Sequence, residues 1–186
     1  MFINLLITGV IVGMPYVQVK VLHFSDYYYG LTEAALSLGF ILVGIYLSAR
    51  KAIRYPLLLA WKSILTIGGL VALMGAVLWL PLSTDAFFAF FLLISLIFGG
   101  ISTAVNIPMM TWVTQIVPTH YQGRIFNIVS TASQLLSPLG MVIFSLGFDY
   151  LPASLLFLLC GAIMIGVTAY WPRFCKVNIL SNQLED

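Results

Sequence analysis

Few side chains in this sequence can take part in chemistry. There are two histidines, His23 and His120, and two cysteines, Cys160 and Cys175. Of the six acids, only Glu33 falls inside an apolar run; the others stand at the edges of such runs or near the C-terminus. A glycine-flanked serine elbow, a helical two-histidine zinc motif, a phosphate loop and a dinucleotide fingerprint are all missing. Enzymatic catalysis therefore has no visible residues to carry it, and no cofactor is expected. What does recur is amide and hydroxyl side chains at helical spacing. Asn127, Ser130, Gln134, Ser137, Met141 and Ser145 fall within an arc of about 80° when each residue turns by about 100°. Gly99, Ser102, Asn106 and Met110 form a similar stripe, as do Asn4, Thr8, Pro15 and Gln18, and also Glu33, Ser37, Gly44 and Ser48. A polar group is costly in lipid, so such stripes turn toward a watery cavity or a protein interior. The plainer alternative is that single hydroxyls bond their own helix backbone and amides bond a neighbouring helix.

The elements that must carry these stripes are membrane-crossing helices. With 61% hydrophobic and 8% charged residues and a mean hydropathy of +1.07, the 186 residues hold more apolar surface than one water-soluble core can hide. Apolar windows of about 20 residues, enough to cross roughly 30 Å of hydrocarbon, lie at 2–22, 31–48, 63–80, 86–117, 125–148 and 153–171. The fourth is long enough to tilt or to protrude. Short alternating strands of a barrel are missing. The expected fold is all-α, a polytopic bundle of six helices over residues 1–176 with a polar tail at 177–186. The first run lacks the basic start and the cleavage site of a signal peptide.

Charge placement orients the bundle. Arg50, Lys51, Arg54 and Lys62 lie between spans two and three, Arg124 between four and five, and Arg173 and Lys176 after span six. Seven of the eight basic residues thus share one side, which should be cytoplasmic, with both termini. Asp26, Asp85 and Asp149 mark the other side. The net charge of +2 and the pI near 8.6 then report topology, and no nucleic-acid partner is implied. This topology also separates His23 from His120 by about 30 Å, too far to share a metal. Cys160 and Cys175 are roughly 20 Å apart on a continuous helix, too far for a disulfide. Glu33 is the candidate proton carrier, although a carboxylate in the first turn of its span also suits the helix N-terminus. Lys20 is placed to snorkel to the interface.

Small residues and prolines mark packing and bends. Gly9 with Gly13, and Gly68 with Ala72 and Ala76, have the spacing that lets helices approach closely. Pro15, Pro108 and Pro138 each remove one backbone bond inside a span and permit a kink or a hinge. At an offset of 93 residues Pro15 aligns with Pro108, Tyr28 with Tyr121, Gly30 with Gly123 and Ser37 with Ser130. Three helices separate the two copies, so the second is inverted in the membrane. Inverted three-helix repeats with a site at their interface are a recurrent construction of secondary transporters.

The run "VPTHYQGRIFNIVSTASQLLSPLGMVIFSLGFDYLP" resembles the segment joining helices ten and eleven of the major facilitator superfamily, closest to its bacterial macrolide-efflux-like drug exporters. The resemblance rests on Gln122-Gly123-Arg124 at the helix start, Ser137-Pro138-Leu139-Gly140, and Asp149 at the exit. "YYYGLTEAALSLGFILVGIYLSARK" is similar to helix eight, with Gly30, Ser37, Gly39 and Gly44 before a basic loop. The likeness extends from Asn4 to about Arg173, as helices seven to twelve. It implies a proton-driven exporter in a bacterial plasma membrane, with two six-helix bundles rocking about a central cavity lined in this half by spans one, two, four and five. Tyr16, Gln18, Asn106, Trp112, Asn127, Ser130, Gln134 and Ser137 are then the expected contacts for a small hydrophobic substrate. Pro15, Gly30, Arg50, Arg54, Pro108, Gly123, Arg124 and Pro138 are expected in gating or topology, and Arg124 would pair with an acid of the other half. Ser48 stands where the family's loop motif commonly has an aspartate, which puts a salt-bridge lock in doubt. Besides the lipid bilayer, the expected partner is the missing N-terminal six-helix half or a second copy of the chain. A membrane scaffold subunit or an inactive truncated remnant is the competing expectation.

Overall fold

In the computed structural model the described residues are 2–49, 56–174, 177–178 and 183–184. The helices are α1 (Phe2–Tyr16), α2 (Asp26–Ala49), α3 (Pro56–Val77), α4 (Thr84–Ile116), α5 (Thr119–Tyr150) and α6 (Ala153–Phe174). All six positions are long and apolar enough to cross a membrane, so this is a multi-pass membrane protein. Strands β1 (Val177–Asn178) and β2 (Gln183–Leu184) pair antiparallel beyond α6.

Several helices begin earlier than their apolar windows. The second starts at Asp26, the third at Pro56 and the fifth at Thr119. Hydropathy misses polar first turns, whereas the helix does not: Asp26 complements the positive end of the macrodipole, and Pro56 needs no amide partner at a first position. Only Val117 and Pro118 separate α4 from α5, so Gly123 and Arg124 lie within the first two turns of α5 and not in a loop. The residue before a proline disfavours the α region, and Val117 is extended at φ −84°, ψ 123°.

α1 does not end regularly. Two residues after Pro15 it widens into a π-helical stretch, Val17–Val21, closed by bonds from the Leu22 amide to the Val17 carbonyl (2.9 Å) and from the Phe24 amide to the Gln18 carbonyl (2.9 Å). π turns characteristically interrupt α-helices at bends and functional positions. His23, at φ 51°, reverses the chain into α2.

Packing follows the two three-helix copies. α2 lies along α4, α1 along α5, and α3 along α6, with α3 also touching α4 and α6 touching α1. Exchanging α1–α3 with α4–α6 maps each of these pairs onto another pair of the set, as an inverted repeat requires. Small residues make the seams. Gly9 and Gly13 receive the rings of Phe144 and Phe148, and Gly161 lies against Gly68 and Ala72. The buried core joins Leu6, Val10, Met14, Phe91, Phe157 and Met164.

α3 and α6 form the outer pair. Trp61 Nε1 donates to the Thr168 carbonyl (2.8 Å) and Trp79 Nε1 to Ser154 Oγ (2.8 Å). The two tryptophans are about 27 Å apart along the axis, close to a bilayer's hydrocarbon thickness, as expected for an aromatic belt. Thr168 is buried, 2% exposed, against α3, and its hydroxyl lacks a partner among the described residues.

Candidate functional site

Polar side chains converge where α1, α4 and α5 meet. Between α4 and α5 a cavity of about 480 Å³ is lined by Asn106, Met109, Met110 and Val113 on one side and Ile125, Phe126, Asn127, Val129 and Ser130 on the other. Between α1 and α5 a second, of about 300 Å³, is lined by Asn4, Thr8, Ile11, Ser130, Ser133, Gln134 and Ser137 among others. Ser130 borders both, so the two are lobes of one concavity with α5 as the ridge between them. α5 can be such a ridge because it packs along α1 and makes only slight contact with α6.

Hydrogen bonds fix the ridge but leave capacity. Gln134 Nε2 donates to Ser130 Oγ (2.9 Å), one turn back on the same helix. Asn4 Nδ2 donates to Ser133 Oγ (3.4 Å), and Asn106 Nδ2 to the Ser102 carbonyl (2.9 Å). Each amide carries two donors and a carbonyl, so each keeps groups unspent toward the concavity. Asn127 is exposed, and its amide has no partner among the described residues. Gln134 lies 16 residues from the Tyr150 end of α5, about 24 Å along the axis, still within membrane thickness. Amides at that depth are stable against protein or water, not against lipid tails.

A third pocket, about 250 Å³, opens between α1, α2 and α4 and is lined by Val10, Ile11, Met14, Pro15, Tyr29, Glu33, Leu36 and Phe98. Because α2 starts at Asp26, Glu33 is its eighth residue and not part of the first turn. The macrodipole acts within the first turn, so the helix terminus does not account for this carboxylate.

The remaining expected residues are spread over the bundle. Gln18 is fully buried and faces Thr32 of α2, outside the α4–α5 concavity. The Thr32 hydroxyl lies 2.7 Å from Gln18 Oε1 and 2.8 Å from the Tyr29 carbonyl, yet it has one proton, while Gln18 Nε2 is buried without a partner. Turning the amide over resolves both problems: Thr32 donates to Tyr29, and Gln18 Nε2 donates to Thr32. Tyr16 donates its hydroxyl to the Phe148 carbonyl (2.9 Å) and stacks on that ring, with Lys20 Nζ 5.2 Å from the Tyr16 centroid. Trp112 is half-buried and lines none of the three pockets. Pro15 borders the Glu33 pocket, Pro108 is buried in α4, and Pro138 is exposed on α5. A Cβ on Gly30 or Gly123 would meet nothing within 4 Å. Arg124 is exposed and makes no ion pair among the described residues. Arg50 and Arg54 lie outside the described residues.

Sequence reading overlooked Thr32 and Gln122. Gln122 Nε2 donates to the carbonyls of Thr114 and Val117 (2.9 Å each), closing the C-terminus of α4 from the first turn of α5. Its signal was available, since an amide five residues after a helix end is placed to cap the orphan carbonyls. Ser37, Ser48, Thr8, Thr66 and Thr111 bond carbonyls one turn back in their own helices, so these hydroxyls follow the plainer alternative.

The comparisons agree with this architecture. No solved structure matches the chain significantly. An uncharacterized MFS-type transporter of Bacillus subtilis (strain 168), YfiS, is 36% identical over 78 residues. That match covers 42% of this chain and 18% of the relative, so the chain spans well under two thirds of that protein. Residues 1–141 match the profile of the Major Facilitator Superfamily, and with its six helices in two inverted triplets the chain belongs to that family.

Proposed function

We propose that this chain is the C-terminal half, helices seven to twelve, of a secondary active transporter in a bacterial plasma membrane. It exports small hydrophobic compounds, macrolide-type drugs among them, by proton-coupled alternating access, with both termini cytoplasmic. The observation that carries the reading is the two-lobed concavity along α5. Asn106, Asn127, Ser130 and Gln134 share it with Met109, Met110 and Phe126, a mostly apolar wall with a few convergent polar groups, as small-molecule sites have. Because exposed amides at membrane depth need covering, a second six-helix bundle closes the concavity. An N-terminal half fills this place, and a second copy of the chain is the alternative occupant. α2 and α5, the least covered spans, flank the open side.

The test is macrolide accumulation in an efflux-deficient bacterium expressing the chain with an adjacent six-helix frame, or alone where none is encoded. Lower accumulation is expected, and Gln134→Leu should raise it severalfold while Thr66→Leu, exposed on α3, leaves it unchanged. Accumulation equal to that of the empty host, or equal effects of the two substitutions, would remove the reading.

A further inference from the structure

The Glu33 pocket differs from the two lobes beside α5 in having a carboxylate as its charged group. Glu33 sits seven residues into α2, about 10 Å from its start. Its carboxylate has neither a hydrogen bond nor an ion pair among the described residues; only its backbone carbonyl is engaged, by Ser37. Facing it are Met14 and Pro15 of α1, Tyr29 and Leu36 of α2, and Phe98 of α4. A charge desolvated among such groups either takes a proton or meets a cation. Aromatic rings attract cations but not neutral or anionic groups. A metal ion is a poor match, because it needs several oxygen, nitrogen or sulfur ligands, and no group of three such side chains that could hold one occurs among the described residues. A positive charge wrapped in hydrocarbon meets all the features of the wall.

We propose that this pocket takes the ammonium head of a lipophilic organic cation, with Glu33 as its counter-charge. The inference deepens the export reading by naming a class of cargo, and as cargo it rests on that reading. At about 250 Å³ the pocket accommodates a head group and not a whole drug-sized molecule, whose sites run to roughly 300–1,000 Å³. Ile11 lines both this pocket and the α1–α5 lobe, so the apolar remainder of the ligand passes across Ile11 toward Gln134.

The experiment is equilibrium dialysis of radiolabelled benzyltrimethylammonium against the whole chain in lipid nanodiscs, with empty discs as the blank. Saturable binding is expected, weakened about tenfold or more by Glu33→Gln and largely retained by Glu33→Asp, which keeps the charge. Neopentylbenzene, the uncharged carbon isostere, should compete poorly. Binding no greater than in empty discs, a Glu33→Gln variant that binds like the parent, or equal competition by the isostere would each overturn the inference. Macrolide efflux without ammonium binding would remove this inference alone. Binding without efflux would leave the site standing and remove the transport reading.

Discussion

α2 and α4 touch backbone to backbone, and that seam yields a signed prediction. A Cβ on Gly39 would collide with the Leu96 carbonyl oxygen and lie 2.9 Å from the Gly100 nitrogen; a Cβ on Gly99 would collide with the Leu36 carbonyl oxygen and lie 3.2 Å from the Phe40 nitrogen. Helix backbone cannot rotate aside as a side chain can. Restoring ordinary contact requires the helices to part by roughly 1 Å, a gap that forfeits a quarter to a half of each dispersion well across the seam. Gly39→Ala and Gly99→Ala should each destabilise by about 1–3 kcal/mol, outweighing the gain of about 1 kcal/mol from alanine's helix propensity. Either substitution opens the same seam, so the double variant should fall short of additivity by about 1 kcal/mol. Gly30 supplies the control in the same helix: with open space around its Cβ position, Gly30→Ala should stabilise by roughly 0.5–1 kcal/mol. Reversible unfolding in mixed micelles, followed by far-ultraviolet circular dichroism, measures all four. The reasoning fails if Gly39→Ala shifts stability as Gly30→Ala does, or if the two seam variants add without coupling.

Two further substitutions probe polar contacts. Thr32→Val strips the buried Gln18 amide of its partner and should cost about 1–2 kcal/mol, whereas Gln18→Leu removes the amide whole and should stay within about 1 kcal/mol of the parent. The same unfolding assay decides, and the reverse order would refute the proposed amide orientation. Gln122→Ala withdraws both bonds from the end of α4 and should destabilise by about 1 kcal/mol, with faster hydrogen exchange confined to the turn around Val117. Unchanged exchange there would show that the cap is dispensable.

Helical period made the α5 stripe legible, because Asn127, Ser130, Gln134 and Ser137 share a face whatever lies opposite. Identity of the neighbour was not legible. On α1, one stripe turned out to serve two partners: Asn4 reaches Ser133 of α5, while Gln18 reaches Thr32 of α2. A hydropathy pattern reports which side of a rod is polar, and tertiary packing decides what that side meets. Glu33 was misplaced for a related reason. Its helix was taken to begin at the apolar window, but the polar residues from Asp26 are already helical, which moves the carboxylate from a terminus into a pocket wall. The glycine spacing in α1 and α3 was readable as close packing, yet the tighter pair, Gly39 and Gly99, sits on different helices and has no spacing to read.

The two repeats share a topology but differ in how their matching seams are made, and this difference accounts for the position of the concavity. In the α2–α4 seam glycines let backbones meet, so little space remains beside it. In the α1–α5 seam the glycines accommodate the Phe144 and Phe148 rings instead, which hold α5 further from its neighbour. A helix propped on aromatic side chains along one partner, and nearly free of α6, has open flanks on both sides. Those flanks are the two lobes, and the residues that border them are those whose polar side chains would be expelled from a closer seam. Shape and chemistry at this site thus share one origin: α5 is held at a distance, and its polar edge faces the space that distance creates.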